Sequence, residues 1–320
     1  MRIGSLQETS GARAVKRRPM PRTFPLPSIA SAPPRALAPI SFGRDGRLGE
    51  LRGNDFIVRQ ADDFTALTHV PLGNPAGIGA LSDGSLVALD ATDAMGRASL
   101  LIRVAPGTRR PTLHDGLIPE TGVLRICAGL DASELACTQP GSDRVYRLKL
   151  LEGRLELIAA ARVRGERTGI MTSLADGSIV YASGPRELVR AAFGTLPRRY
   201  AVAIEPRALL PGPAPELLWL CGGDELLLVS LAEPLRPLVR RPIPHDQLDI
   251  AAGGRHLAML QRDRRGSLLV CFDERALERW RVPVGLGEKW LACSARPVAV
   301  AGDGDLAVYD AASGALLHAS

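Results

Sequence analysis

From Ile40 onward, apolar residues come in short runs of about five to eight, separated by glycine, aspartate and proline. Few stretches hold a 3.6-residue period long enough for a helix. Runs of this length between turn-forming residues predict strands joined by tight turns. The runs also recur in register, a strand ending in a small or polar turn and a second strand starting at once: ISFGRDGRLGEL (40–51), IGALSDGSLVAL (78–89), ICAGLDASELAC (126–137), MTSLADGSIVYA (171–182), LWLCGGDELLLV (218–229), IAAGGRHLAML (250–260) and LACSARPVAVA (291–301). Asp45 to Ala295 is roughly 250 residues over six intervals, a period of about 42, within the range of a four-stranded repeat.

Two further apolar runs follow each pair. The seventh unit reads WLACSA, PVAVAGD, DLAVYDA, ALLHA, and the third VLRICAG, SELACTQ, RVYRLKL, RLELIAA. A single sheet of four strands cannot shield both of its faces. Sheets stacked face to face around a closed circle shield one another and leave only short edges. The predicted fold is therefore all-β: a β-propeller over 40–320 of about seven four-stranded blades, with six or eight as the neighbouring counts. Gly46, Gly84 and Gly177, each after an aspartate, supply the positive φ of hairpin turns.

The stretch GDGDLAVYDAASGALLHA (302–319), with echoes in SLVALD (85–90) and SLLVCFD (267–273), resembles repeats of the PQQ-type and WD40-like propeller superfamily. No blade carries the Gly-His start or the Trp-Asp end of a WD40 repeat, and no quinone or calcium constellation is recognisable. The resemblance thus implies a fold and no activity.

Composition adds a boundary. The net charge of +6 lies entirely in residues 1–39, where seven cations face one acid; the remaining 33 basic and 33 acidic residues cancel. Prolines 19, 21, 25, 27, 33, 34 and 39 crowd this segment. It reads as a disordered basic tail ahead of the ring. The neutral body argues against nucleic acid as its partner, leaving only Lys16, Arg17 and Arg18 in the tail for a polyanion. No 7–15-residue apolar h-region and no membrane span is found, and the five cysteines fall into no metal-binding spacing. A cytoplasmic location with free, buried thiols is expected, in a bacterial protein.

Candidate chemistry is sparse. His114-Asp115 and His245-Asp246 are neighbours along the chain, so each pair points its side chains to opposite sides. His69, His256 and His318 are isolated, and only a meeting in the central channel would let them hold zinc. Asp303, Asp305 and Asp310 lack the closing glutamate of a calcium loop. Ser85 and Ser178 sit in turns without a placed base. Trp219 reads as core, whereas Trp280 and Trp290 flank a link between blades.

No catalytic, cofactor-binding or metal-binding residue is assigned, and no cofactor is expected. The leading expectation is a non-enzymatic interaction scaffold that binds a protein through the loops and funnel of one propeller face, with Trp280, Trp290, His245 and Asp246 as candidate contacts. Two alternatives stay open: a lactonase-, lyase- or quinoprotein-like propeller enzyme, and the propeller component of a MoxR ATPase/von Willebrand A-domain system.

Overall fold

The computed structural model describes residues 39–320 except 123, 130, 140–141, 163–169, 193–194, 233–234, 244–246, 264–265, 286–288 and 303. All of the basic tail but Pro39 lies outside this set, as does His245-Asp246. The described residues form strands and turns only, in seven consecutive four-stranded antiparallel meanders.

Blade 1 holds β1 (Ile40–Phe42), β2 (Leu48–Arg52), β3 (Asp55–Arg59) and β4 (Ala66–Pro71). Blade 2 holds β5 (Pro75–Ala80), β6 (Leu86–Asp90), β7 (Leu100–Val104) and β8 (Thr112–Asp115). Blade 3 holds β9 (Arg125–Ala128), β10 (Glu134–Thr138), β11 (Arg144–Leu151) and β12 (Arg154–Arg162). Blade 4 holds β13 (Met171–Ser173), β14 (Ile179–Gly184), β15 (Glu187–Ala191) and β16 (Arg198–Ala201). Blade 5 holds β17 (Ala208–Pro211), β18 (Leu217–Gly222), β19 (Glu225–Ser230) and β20 (Arg236–Pro242). Blade 6 holds β21 (Gln247–Gly253), β22 (His256–Asp263), β23 (Gly266–Phe272) and β24 (Glu278–Pro283). Blade 7 holds β25 (Lys289–Cys293), β26 (Pro297–Gly302), β27 (Asp305–Asp310) and β28 (Leu316–Ala319).

The first strands β1, β5, β9, β13, β17, β21 and β25 each touch the next, and β25 touches β1. That closes the circle. Among the described residues every blade is built from consecutive strands, so closure rests on packing with no exchanged strand.

One register expectation needs correction. LWLCGGDELLLV (218–229) spans the second and third strands of blade 5, not its first hairpin. The tight turn at Gly223-Asp224 imitates the Asp-Gly turns elsewhere, while the true first turn, 212–216, is longer and proline-bearing.

Each seam between blades carries its own apolar cluster. Phe56 and Val58 meet Leu86 and Ile102 between blades 1 and 2. Leu89 and Leu101 meet Leu135 and Tyr146 in the next seam, and Val145 meets Tyr181 after it. Leu188 faces Leu218, Trp219 faces Met259, and Leu260 faces Val298 in the three that follow. Ile40, Leu48 and Phe64 meet Ala299, Leu306 and Val308 where blade 7 closes on blade 1. In blade 2 alternate residues serve opposite seams, Leu86 and Ala88 on one side and Val87 and Leu89 on the other. All five residues of β6 are buried, which is why strands here read as continuous apolar runs and not as alternating ones.

The rim adds polar clasps. An outer strand reaches the turn before the outer strand of the next blade. Thr68 Oγ1 donates to the Arg109 carbonyl at 2.7 Å, His114 Nδ1 to the Leu151 carbonyl at 2.8 Å, and Trp280 Nε1 to the Ala311 carbonyl at 2.9 Å. Arg241 reaches the Ala276 carbonyl in the same way. At the closing seam the rings of His318 and Phe64 lie 6.1 Å apart. Between blades 2 and 3 the clasp grows into a parallel bridge, Arg154 to Asp115, which joins the two sheets.

Toward the axis the blades converge and side chains must shrink. A Cβ on Gly253 of β21 would come within 2.4 Å of Ser294 Cα and 2.5 Å of the Cys293 carbonyl oxygen. We expect Gly253→Ala to cost about 2–3 kcal/mol through this collision. Gly53→Ala, at φ 60° with nothing within 4 Å, should cost only about 1 kcal/mol of backbone strain. Urea unfolding of both variants checks this, and equal losses would contradict close packing at the axis.

Candidate functional site

Antiparallel meanders put the two kinds of connection at opposite ends of the ring. First-to-second and third-to-fourth turns share one end; second-to-third turns and the links between blades share the other. At the link end, the fully described second-to-third turns of blades 1, 4 and 5 span two residues each, whereas the one in blade 2 spans nine, Ala91 to Ser99. It stands beside residues 116–122 of the link between blades 2 and 3, and that link in turn meets Ser142 in the second-to-third turn of blade 3.

These three loops are tied together. Asp93 accepts from the backbone N–H groups of Met95 and Arg97, and its other oxygen takes the Arg97 guanidinium at 2.9 and 3.0 Å. Burial alone would raise the Asp93 pKa, but the bonds from Arg97 outweigh it and hold the carboxyl below its usual range. Thr92 and Ser99 join their hydroxyls across the loop. Gly116 N–H donates to the Ser99 carbonyl at 3.0 Å and Ile118 N–H to the Ala98 carbonyl at 2.9 Å. Arg97 and Thr121 form a further antiparallel bridge.

Glu120 then anchors the group to blade 3. Its Oε1 accepts from the Tyr146 hydroxyl at 2.6 Å and from Ser142 Oγ at 2.8 Å. Burial, and then the bond to Glu120, push the Tyr146 phenol up to about 12. Below the loops, Ile118, Ala98 and Leu124 are buried. Above them, Met95 is 70% exposed and Leu117 43% exposed. The result is a braced platform carrying apolar side chains into solvent.

The turn end differs. Ser85 and Ser178 are fully buried, and each bonds its own turn aspartate, at 2.8 Å to Asp83 and 2.7 Å to Asp176. Arg103 and Arg190, from the third strand of the same blade, each donate to the serine oxygen at 3.0 Å and reach the carboxylate. With their hydroxyls committed this way, both serines serve the turns. For both aspartates burial acts to raise the pKa, and the serine and arginine bonds overcome it and lower it.

The remaining candidates scatter. His69 and His318 sit on outermost strands and His256 begins β22, so they do not meet in the channel. His114 turns its ring into the rim clasp, away from Asp115 chemistry. Asp310 accepts from Ala312 and Ser313 in a turn, and Asp305 starts β27. Asp303 and His245-Asp246 lie outside the described residues. Trp280 and Trp290 are both half-buried, packed against the clusters of blades 6–7 and 7–1. Trp219 is buried. Among the described residues no three His, Cys, Asp or Glu side chains are grouped as metal ligands would be.

The five cysteines form no disulfide with one another. Burial pushes Cys127 and Cys271 up to about 12, and Cys137 and Cys293 further.

The braced loops escaped sequence reasoning, although a signal existed. Ile78 to Ile126 is 48 residues against 38 from Ile40 to Ile78, and the excess is the inserted loop and link.

Comparison with known proteins bears on the fold alone. No protein-family model matches the chain, and no curated protein does. Solved structures do match. A chain of the Mitotic Checkpoint Complex covers 86% of this chain and 89% of its own length at a TM-score of 0.64 and 12% identity. The Myceliophteria thermophila Cps50 (Swd1) β-propeller domain covers 86% and 96% at 0.63 and 10%. Virginiamycin B lyase from Staphylococcus aureus covers 82% and 90% at 0.60 and 13%. The chain has the β-propeller fold. At these identities neither the lyase nor the assembly proteins lend it an activity.

Two outcomes are expected. Arg190→Met strips Asp176 of its cation. A carboxylate with a depressed folded-state pKa stabilises above its unfolded value and loses that support as pH falls, so the variant's acid unfolding midpoint should move to higher pH. At neutral pH the loss should stay at about 1 kcal/mol or less, since this pair is partly solvent-screened. An unchanged midpoint by circular dichroism would dismiss the ion pair. Separately, a thiol reagent at neutral pH should label native protein far more slowly than unfolded protein, which should yield all five cysteines. Rapid native labelling of Cys137, Cys221 or Cys271, the three buried thiols, would contradict their packing.

Proposed function

We propose that this propeller is a non-enzymatic protein-interaction scaffold of the bacterial cytoplasm, docking a partner on the platform of blades 2 and 3. The observation that carries this reading is the bracing itself. Three loops at one end of the ring are locked by side-chain and backbone hydrogen bonds, yet they present Met95 and Leu117 to water. Loops held by a stiff scaffold are where binding resides, and a preordered apolar surface loses little conformational entropy when a partner covers it. Methionine at such a surface adapts to the partner's shape.

Other features support the reading. The charge of residues 40–320 sums to zero, as suits a protein partner better than a polyanion. Five cysteines without a disulfide fit a reducing compartment. No helix of the described residues is long and apolar enough to cross a membrane.

The test places a photo-crosslinking residue at Met95 in the native host and compares wild type with Met95→Glu/Leu117→Glu. One protein should crosslink from Met95 and co-purify with wild type. It should be lost from the double variant and kept by Leu196→Glu, a change at an 89% exposed site on the opposite end. A partner retained equally by all three proteins would refute the platform as the docking surface.

A further inference from the structure

The outer strands of the seven blades are sheet edges, and edges with free backbone groups invite strand addition unless charge or proline blocks them. Six carry such a block. β4 ends on Pro71, and β8 is bonded at its end to β12. β12 opens with Arg154 and holds Glu156. β16 begins Arg198-Arg199. β20 has Pro237, Pro242 and three arginines, and β24 has Glu278, two arginines and Pro283. β28 reads Leu-Leu-His-Ala, with no proline, acid, lysine or arginine, and its one interruption is a bulge at Leu317, after which the pairing resumes at His318 and Ala319.

Its side chains match that openness, Leu316 being 57% and Leu317 51% exposed. Its backbone does too. Ser320 and Leu306 exchange both backbone hydrogen bonds, so alternation along the strand turns the N–H and C=O of Ala319 away from β27. Beside this edge opens a cleft of about 540 Å³, lined by Pro283, Val300, Leu306, Tyr309, Ala319 and Ser320. One cationic and one anionic side chain, Lys289 and Asp305, also line it, and the rest of the lining is mostly apolar.

We propose that β28 is a strand-addition site for an uncharged, apolar, extended peptide segment of a partner protein. The segment adds antiparallel as a fifth strand of blade 7 and places an apolar side chain in the cleft. Main-chain bonds to the free edge supply affinity, and the cleft selects the side chain. A second copy of the chain is a poorer occupant. Four residues give only about 14 Å of edge, and pairing over that length falls well short of the ~800 Å² per partner of a stable dimer. The platform of blades 2 and 3 stands apart from this site, and neither depends on the other.

A phage-displayed random hexapeptide library, selected against the full chain, tests the proposal. Enriched sequences should be apolar at alternate positions and free of internal proline. A synthetic peptide of the enriched sequence, followed by fluorescence anisotropy, should bind at least tenfold more weakly to Leu317→Lys and to Leu317→Pro. It should bind Met95→Glu/Leu117→Glu as it binds wild type, so failure here is separable from failure of the platform. The Ala319 amide should also gain hydrogen-exchange protection with peptide present. Leu317→Lys, a change on an exposed side chain, keeps the test decisive if the proline variant does not fold. No enrichment, equal binding to Leu317→Lys, or no protection at Ala319 would overturn the proposal.

Discussion

Mutual covering of sheet faces is the constraint on which the molecule depends. Every blade has two apolar faces and four strands, too little to shield either by itself. The strand β6 is buried at all five positions because Leu86 and Ala88 serve one seam while Val87 and Leu89 serve the next. Seven seams with seven clusters leave no blade with an uncovered face only if the last seam closes, and there Ile40, Leu48 and Phe64 meet Ala299, Leu306 and Val308. The hydrophobic effect is non-directional, so closure also needs elements that fix the distance between neighbours. The small residues near the axis and the rim clasps from outer strand to next turn do that at the two radii.

Once the circle is closed, its two ends are free to diverge. At the turn end, chemistry is spent on local order. The Asp83-Ser85-Arg103 and Asp176-Ser178-Arg190 groups repeat one arrangement in two blades and hold each first hairpin against its third strand. At the link end, blade 2 carries extra chain, and that chain is ordered by Asp93, Glu120 and the bridge from Arg97 to Thr121. An insertion with so many internal bonds and exposed apolar tips is costly to keep for folding alone. That asymmetry is the physical ground for reading the link end as the docking end.

Much of the architecture was legible in the sequence, because the period, the turn glycines and the four-run texture are local features repeated many times. The phase slipped in blade 5, where Ala208–Pro211 is a short strand and the first turn lacks the Asp-Gly mark. What sequence could not supply was any relation between residues on different blades. The rim position of His114, the half-buried packing of Trp280 and Trp290, and the separation of His69, His256 and His318 all follow from ring geometry. The platform was hidden for the same reason: Asp93 and Arg97 look like loop residues until Glu120 and Tyr146 are seen to brace the neighbouring loops. The open edge at β28 emerges only by comparing seven outer strands, once they are known to be outer.

Ring closure is the central claim, and a spin-label distance across the closing seam tests it most directly. Labels at Thr65, next to the Phe64 turn of blade 1, and at Leu316 in β28 of blade 7 flank the Phe64–His318 contact. Replacing the half-buried Cys127 and Cys293 by serine leaves three buried native thiols and makes the two introduced cysteines the reactive pair. A closed ring predicts one short, narrow distance between the labels. A long or broad distribution would mean that the first and last blades do not cover each other, and the closed ring would be contradicted.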